Sequence, residues 1–298
     1  MPVVKKRSVL SGMQVKEAMR RQVVHLPQSA SIAACITRLL KFKNNALLVT
    51  DAKGHPAGVV SKTDIIGAFY AGLPADTPLG DIMTGPPLTC FPDDELESSL
   101  DLMQARGVHR LYVLGAEAAS LAGTLAYTDI VALLYRYCRA CPKRIAPGAS
   151  ALPQSEGPQR LSVKEVMTDG VVAFPPDALL AEVIEGLTAG RIGAVLIHGD
   201  GSNPSGVISK TDLIIAYLHA LPLDTPARAI TRSPVSVCDR QALLWEALRL
   251  MLLKDVQRLF VHAGDREQII GVLSLSDAAR IRSGTCRACM PSRIIMTG

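Results

Sequence analysis

The chain has 298 residues, 48% of them hydrophobic and 20% charged, with a formal net charge of +5. It is too apolar for a disordered chain and longer than the usual ~100–200 residues of one domain, so two domains or one large one are expected. The positive charge is scattered, with no basic run beyond Lys5-Lys6-Arg7, which argues against the concentrated stripe of a nucleic-acid-binding surface.

The amino terminus, MPVVKKRSVLSGM, has no long apolar core of a signal peptide. Other apolar stretches are broken by charge well before the ~20 residues that span a bilayer. Seven cysteines, an odd number, fit a reducing compartment better than a disulfide framework. The expectation is a cytoplasmic protein with no membrane or nucleic-acid partner.

In chain order, an N-terminal segment (1–14) precedes a first unit (15–74). It carries the cap-like stretch HLPQSAS, an apolar helix, the strand NNALLV, and the strand-to-helix junction GVVSKTD at 58–64. A second unit (79–144) has CFPDDEL, a helix expected over 95–106, the strands HRLYVL and GTLAY, and the helix DIVALLYRYCRA. Pro, Gly, Ala and Ser dominate the following segment, a linker assigned to 145–161. A third unit (162–222) brings FPPDALL, IGAVLI and GVISKTD at 206–212. A fourth (226–298) brings VCDRQAL, a helix expected over 241–253, RLFVH and GVLSLSD. The Asp or Ser ahead of each apolar run reads as a helix N-cap.

These units are copies. Gly58 falls on Gly206 and, in the same register, Met19 on Met167, Arg110 on Arg258 and Asp129 on Asp277, so residues 15–144 and 162–298 are two versions of one module. A second, weaker register places Gly58 on Gly123 and Asp64 on Asp129 inside each version. The predicted fold is α/β, with four repeats in the order strand, helix, strand, strand, helix.

The heptapeptide explains where chemistry could lie. Its glycine marks a close approach of backbone, and Ser61, Thr63 and Asp64 gather where a strand becomes a helix. Asp64 or Thr63 can cap that helix, which is worth about 0.5–2 kcal/mol. Capping alone needs one short polar side chain, whereas a set of hydroxyls and a carboxylate beside free N–H groups also suits phosphate and a ribose diol.

Four junctions of the form Gly-hydrophobic-x-Ser/Thr-x-x-Asp in that element order resemble CBS domains in two tandem pairs (Bateman modules), over nearly the whole chain. The resemblance implies two pseudo-two-fold pairs assembled as a disc, with adenosyl ligands (AMP, ADP, ATP or S-adenosylmethionine) held in clefts between units. Its Asp is expected on the ribose hydroxyls and its Ser or Thr residues on ribose or phosphate. Carried over, unit 1 supplies Ser61, Thr63 and Asp64, unit 3 Ser209, Thr211 and Asp212, and unit 4 Ser274, Ser276 and Asp277. Unit 2 has Ala126 in place of the first hydroxyl, leaving Thr128 and Asp129.

The family also places bases at the start of the preceding strand, here His109 and Arg110 in unit 2 and Arg258 in unit 4, with Gln257 in the histidine's place. Units 1 and 3 have none there, so their phosphate charge is expected from Lys62 and Lys210 or from a neighbouring unit. The bland alternative for these bases is a solvated charge or a surface ion pair.

The module repeat duplicates CRAC, at Cys138 and Cys141 and again at Cys286 and Cys289. Two such i, i+3 pairs could join in a four-cysteine zinc site or act in redox, or they are copied small residues without either role. No phosphate-binding loop, serine-hydrolase elbow or HExxH motif occurs, and the expectation is a regulatory binding protein, not an enzyme. It needs no cofactor beyond the regulatory adenosyl nucleotide, acts on a regulated partner protein, and leaves a homodimer open. The alternatives are a structural or oligomerisation scaffold with degenerate clefts, or a zinc- or redox-responsive assembly module.

Overall fold

The computed structural model describes residues 10–115, 120–140, 160–199 and 204–281, without the side chains of 138–140 and 204. After α1 (Val15–Ala18), unit 1 comprises β1 (His25–Pro27), α2 (Ile32–Lys41), β2 (Ala46–Thr50), β3 (Pro56–Ser61) and α3 (Lys62–Tyr70). Unit 2 comprises β4 (Thr89–Cys90), α4 (Leu96–Ala105), β5 (Arg110–Leu114), β6 (Leu121–Ala126) and α5 (Tyr127–Ala140). The second module opens on β7 (Thr168–Asp169). Unit 3 then has β8 (Ala173–Phe174), α6 (Leu180–Ala189), β9 (Ala194–His198), β10 (Pro204–Ser209) and α7 (Lys210–Leu218). Unit 4 has β11 (Val237–Asp239), α8 (Leu244–Lys254), β12 (Arg258–Ala263), β13 (Asp265–Ser274) and α9 (Leu275–Arg280). This is the βαββα order expected from the sequence. In every unit the first strand pairs parallel and the third antiparallel with the middle one.

The first helix of each unit buries one stripe at identical spacing: Ile32, Cys35, Ile36 and Leu39; Leu96, Ser99, Leu100 and Met103; Leu180, Val183, Ile184 and Leu187; Leu244, Ala247, Leu248 and Met251. That i, i+3, i+4, i+7 pattern is the apolar face of an amphipathic helix. The helices start differently from the sequence reading. Ser31 does cap α2, its hydroxyl accepting from the Ala34 N–H, but the residues ahead of α4, α6 and α8 are Glu95, Leu179 and Leu243. Asp94 and Asp239 instead accept from the N–H groups of Phe91 and Gln241, closing the turn before the helix. A short acidic side chain serves either purpose with the same local geometry.

Each middle strand is buried on both faces, and alternate residues go to different cores. Leu47 and Val49, like Val195 and Ile197, face the helices of units 1 and 3. Leu111, Val113, Leu259 and Val261 face those of units 2 and 4. The in-between residues Ala194, Leu196 and Phe260 form a separate layer in which the sheets of units 3 and 4 meet. Sheet-on-sheet contact thus builds a module, while helix contact joins the modules: α3 packs on α7 and α5 on α9. Units 1 and 3 share one core and units 2 and 4 the other, giving the disc-like ring of four.

Within a module the segments that lead into the units are exchanged. The residues before unit 2 pair with unit 1, Val59 and Thr84 exchanging both backbone hydrogen bonds at 2.8 and 3.0 Å. Those before unit 1 pair with unit 2 through Arg20 and Thr124 at 2.9 and 2.8 Å. Val207 with Arg232, and Val272 with Thr168, repeat the arrangement in the second module. This explains the glycines of the junctions. A Cβ on Gly123 would lie 2.3 Å from the Arg20 carbonyl oxygen, and one on Gly206 2.6 Å from that of Arg232.

Candidate functional site: four carboxylates at strand-to-helix junctions

At the first junction the cap is Ser61, and not Thr63 or Asp64 as the sequence suggested. Its Oγ accepts from the N–H groups of Thr63 and Asp64 at 3.2 and 3.4 Å. Asp64, at the third helical position, accepts through Oδ2 from the Ser61 N–H and hydroxyl, both at 2.7 Å. Ser209 and Asp212 repeat this at 2.8 and 2.6 Å. Ser274 gives Asp277 the same two donors, and its hydroxyl lies 2.8 Å from that of Ser276. Unit 2 keeps only the backbone donor, Ala126 N–H to Asp129 at 2.9 Å. One carboxylate oxygen is therefore fixed in all four, and the other decides what each junction can hold.

The second oxygens differ. Asp64 Oδ1 has no hydrogen-bond partner among the described residues, and Asp277 Oδ1 lies 3.8 Å from the Arg280 guanidinium. Asp129 and Asp212 are each ion-paired through Oδ1, with the Nε of Arg20 and of Arg232. Burial pushes the Asp129 carboxyl up, with the Arg20 charge pulling the other way. The two arginines escaped the sequence reading because each lies ahead of one unit and serves the carboxylate of the other. The signal was present only as two arginines near strand starts, at positions the 58-to-206 register does not superpose.

The two lysines are not aimed at their own junctions. Lys62 Nζ donates to Thr211 Oγ1 and Lys210 Nζ to Thr63 Oγ1, both at 2.8 Å, a reciprocal tie between modules. Asn45 of unit 1 donates to Gln257 of unit 4 at 2.6 Å. Arg110 turns into unit 1, donating to Asn44 Oδ1 at 3.0 Å and the Ala46 carbonyl at 3.4 Å. Arg258 turns into unit 3, where its guanidinium occupies the space a side chain on Gly193 would need. The strand-start bases of units 2 and 4 therefore serve the units that have none.

These groups converge where the four units meet. His109 is open to solvent there yet ringed by protein. That surround, then the charges of Lys210, Arg280 and Arg258, holds its pKa below the ordinary histidine value. Desolvation lowers Arg258 to about 10. Lys62 falls to about 8, through burial first and then the Arg258 charge, against the pull of Asp212. The cations gather beside the junction carboxylates, Lys62 near Asp212, Lys210 near Asp64 and Arg258 near Asp277.

The Lys62 shift has a measurable sign. Its neutral form is favoured in the fold, so its contribution is complete above the unfolded value of 10.5 and is lost as pH falls through about 8. Between pH 7 and 9 the urea midpoint of the wild type is expected to rise relative to that of Lys62→Met. Parallel curves would mean that Lys62 stays charged throughout.

Cys90 and Cys238 are buried strand residues whose thiols are pushed up to about 11 by burial, as befits inert small side chains. Cys141, Cys286, Cys289 and the side chain of Cys138 lie outside the described residues. Among the described residues no group of three or more His, Cys, Asp or Glu is placed to hold a metal, and no helix is long and apolar enough to cross a membrane.

The model of the CBS domain matches residues 15–71, 79–136, 163–219 and 227–284, one match on each βαββα unit. The chain belongs to the CBS domain family. Among solved structures, this CBS protein resembles MJ1225 from Methanocaldococcus jannaschii with a TM-score of 0.72 at 14% identity, over 90% of this chain and 99% of that one. It also resembles a conserved protein from Pyrococcus horikoshii, with a TM-score of 0.58 at 17% identity, over 91% and 100%. At these identities the likeness is one of fold.

By sequence, the Methanopyrus kandleri protein MK0525 is 28% identical over 123 residues, 41% of this chain and 62% of that protein. A Helicobacter pylori protein is 28% identical over 117 residues, 39% and 35% of the two chains. The matches thus span less than two thirds of either relative's length.

Proposed function

We propose that this CBS protein is a regulatory module that binds adenosyl nucleotides (AMP, ADP, ATP or S-adenosylmethionine) in clefts between its units and passes their occupancy to a partner protein. The division into pairs at 15–144 and 162–298 is part of the same reading. The observation that carries it is the half-used carboxylate. Asp64 is held by Ser61 through one oxygen and keeps the other for a ribose hydroxyl, at the N-terminus of α3. The Ser/Thr-Asp set is the one the CBS resemblance assigns to ribose and phosphate.

Charge for the phosphate is at hand in Arg110 and Arg258, which reach across unit boundaries, and His109, held below the ordinary histidine value, adds a ring N–H donor beside them. A regulatory role needs a ligand that distinguishes two conformations. Thr63, beside Asp64, is also the acceptor of Lys210 from the other module. A ligand that recruits Thr63 or Lys210 would disturb the tie between modules, which gives binding a route to the shape of the disc.

The test is thermal unfolding with millimolar AMP, ADP, ATP or S-adenosylmethionine. Ligand at a hundredfold its Kd adds about 2.7 kcal/mol, and a rise in Tm is expected. A variant with all four Asp64, Asp129, Asp212 and Asp277 changed to Asn keeps the cap acceptors and is expected to lose the rise. No shift with any of the four ligands would leave a scaffold with degenerate clefts. Stoichiometric zinc in the purified protein would favour the cysteine-based assembly module.

A further inference from the structure

The four exchanged segments place one residue at the same bridging position in each junction: Arg20 opposite Thr124, Thr84 opposite Val59, Thr168 opposite Val272 and Arg232 opposite Val207. The modules use opposite halves. Where the first has Arg, at 20, the second has Thr, at 168, and where the first has Thr, at 84, the second has Arg.

Each Arg is ion-paired with the carboxylate of the junction it crosses, Arg20 with Asp129 and Arg232 with Asp212. The arginine side chains are 64% and 63% exposed while the carboxylates beneath are 4% and 5% exposed, so the guanidinium stands between carboxylate and solvent. Thr84 and Thr168 are too short to do the same to Asp64 and Asp277, and Arg280, on the helix of Asp277 itself, stands 3.8 Å from its Oδ1, beyond hydrogen-bond reach.

We propose that Arg20 and Arg232 are latches that close two of the four clefts, so that adenosyl nucleotide is taken at two, those of Asp64 and Asp277. This rests on the nucleotide-binding reading above and deepens it. A ribose hydroxyl must bond the carboxylate oxygen that the latch already holds. It is a neutral donor displacing a charged one, and charge-assisted hydrogen bonds are roughly twice as strong. The closed clefts belong to units 2 and 3 and the open ones to units 1 and 4, so occupancy runs diagonally across the ring. Unit 3, whose heptapeptide matches that of unit 1 but for one methyl group, is closed by a residue outside its own sequence.

The full chain, titrated calorimetrically with AMP, ATP and S-adenosylmethionine in turn, is expected to bind two equivalents of whichever ligand it takes. Arg232→Thr, which installs the residue found at positions 84 and 168, adds a third by raising the affinity of the unit 3 cleft about tenfold or more. Thr84→Arg removes one. Asp64→Asn with Asp277→Asn abolishes wild-type binding. Four equivalents in the wild type, or binding that survives loss of Asp64 and Asp277, would overturn the latches and leave nucleotide binding standing. No binding by the wild type or by Arg232→Thr would overturn both.

Discussion

Phe69→Ala is expected to lower the unfolding free energy by about 3–5 kcal/mol, the range for removing a buried aromatic side chain. Phe69 sits at the end of α3, 6% exposed, and stacks on Tyr217 of α7 with ring centroids 5.0 Å apart and planes at 15°. Such a pair adds about 0.5–1.5 kcal/mol beyond the area it buries. Tyr217 is fixed in turn by its hydroxyl, which donates to the Leu73 carbonyl across the module boundary at 2.6 Å.

The loss therefore falls on the contact that joins units 1 and 3, and the two modules should melt less cooperatively. Urea unfolding followed by two probes would check it. Coincident transitions with a change under 1 kcal/mol would mean that the α3–α7 contact contributes little. Tyr217→Phe, which keeps the stack and drops one hydrogen bond, should cost only about 1 kcal/mol.

Gly123→Val is expected to cost about 3 kcal/mol, the upper part of the usual overpacking range. The added Cβ meets the Arg20 carbonyl oxygen at 2.3 Å and its carbon at 3.2 Å. Both are backbone atoms tied to Thr124 by two hydrogen bonds, so neither can swing aside as a side-chain tip would. The exchanged segment must lift from β6, taking the Arg20 partner of Asp129 with it. Gly67→Ala supplies the contrast. Gly67 lies within α3, has nothing within 4 Å of an added Cβ, and should gain up to about 1 kcal/mol from helix propensity. Chemical denaturation of both variants tests the pair, and equal effects would remove the close approach as the reason for the glycine.

Much of this molecule is legible in its letters because the information is local and repeated. The spacing of Ile32, Cys35, Ile36 and Leu39 recurs in three further helices, and a period of 3.6 residues needs no tertiary context to be recognised. The Ser-x-x-Asp junctions are likewise local, cap and carboxylate lying three residues apart. The misjudged caps are local too: Asp94 and Asp239 close turns, and a turn and a helix start ask the same thing of a short acidic side chain.

Residues that meet across units were less legible. Lys62 reads as a phosphate ligand of its own heptapeptide, yet its ammonium bonds Thr211 in the other module. Arg110 and Arg258 read as bases of units 2 and 4, yet they fill the strand starts of units 1 and 3. Nothing in the spacing distinguishes a side chain that serves its own unit from one that serves a neighbour.

The sequence by itself determined the four units, their α/β order, the stripes that become cores, and the carboxylate each junction carries. Tertiary structure decided which of those carboxylates has its second oxygen held by an arginine from an exchanged segment. That choice belongs to Arg20 and Arg232, which reach Asp129 and Asp212 only because the leading segments are exchanged within each module. The exchange is a property of two sheets packed about a pseudo-two-fold axis. It brings together residues such as Arg20 and Asp129, whose separation along the chain is too long for any helix or strand period to register.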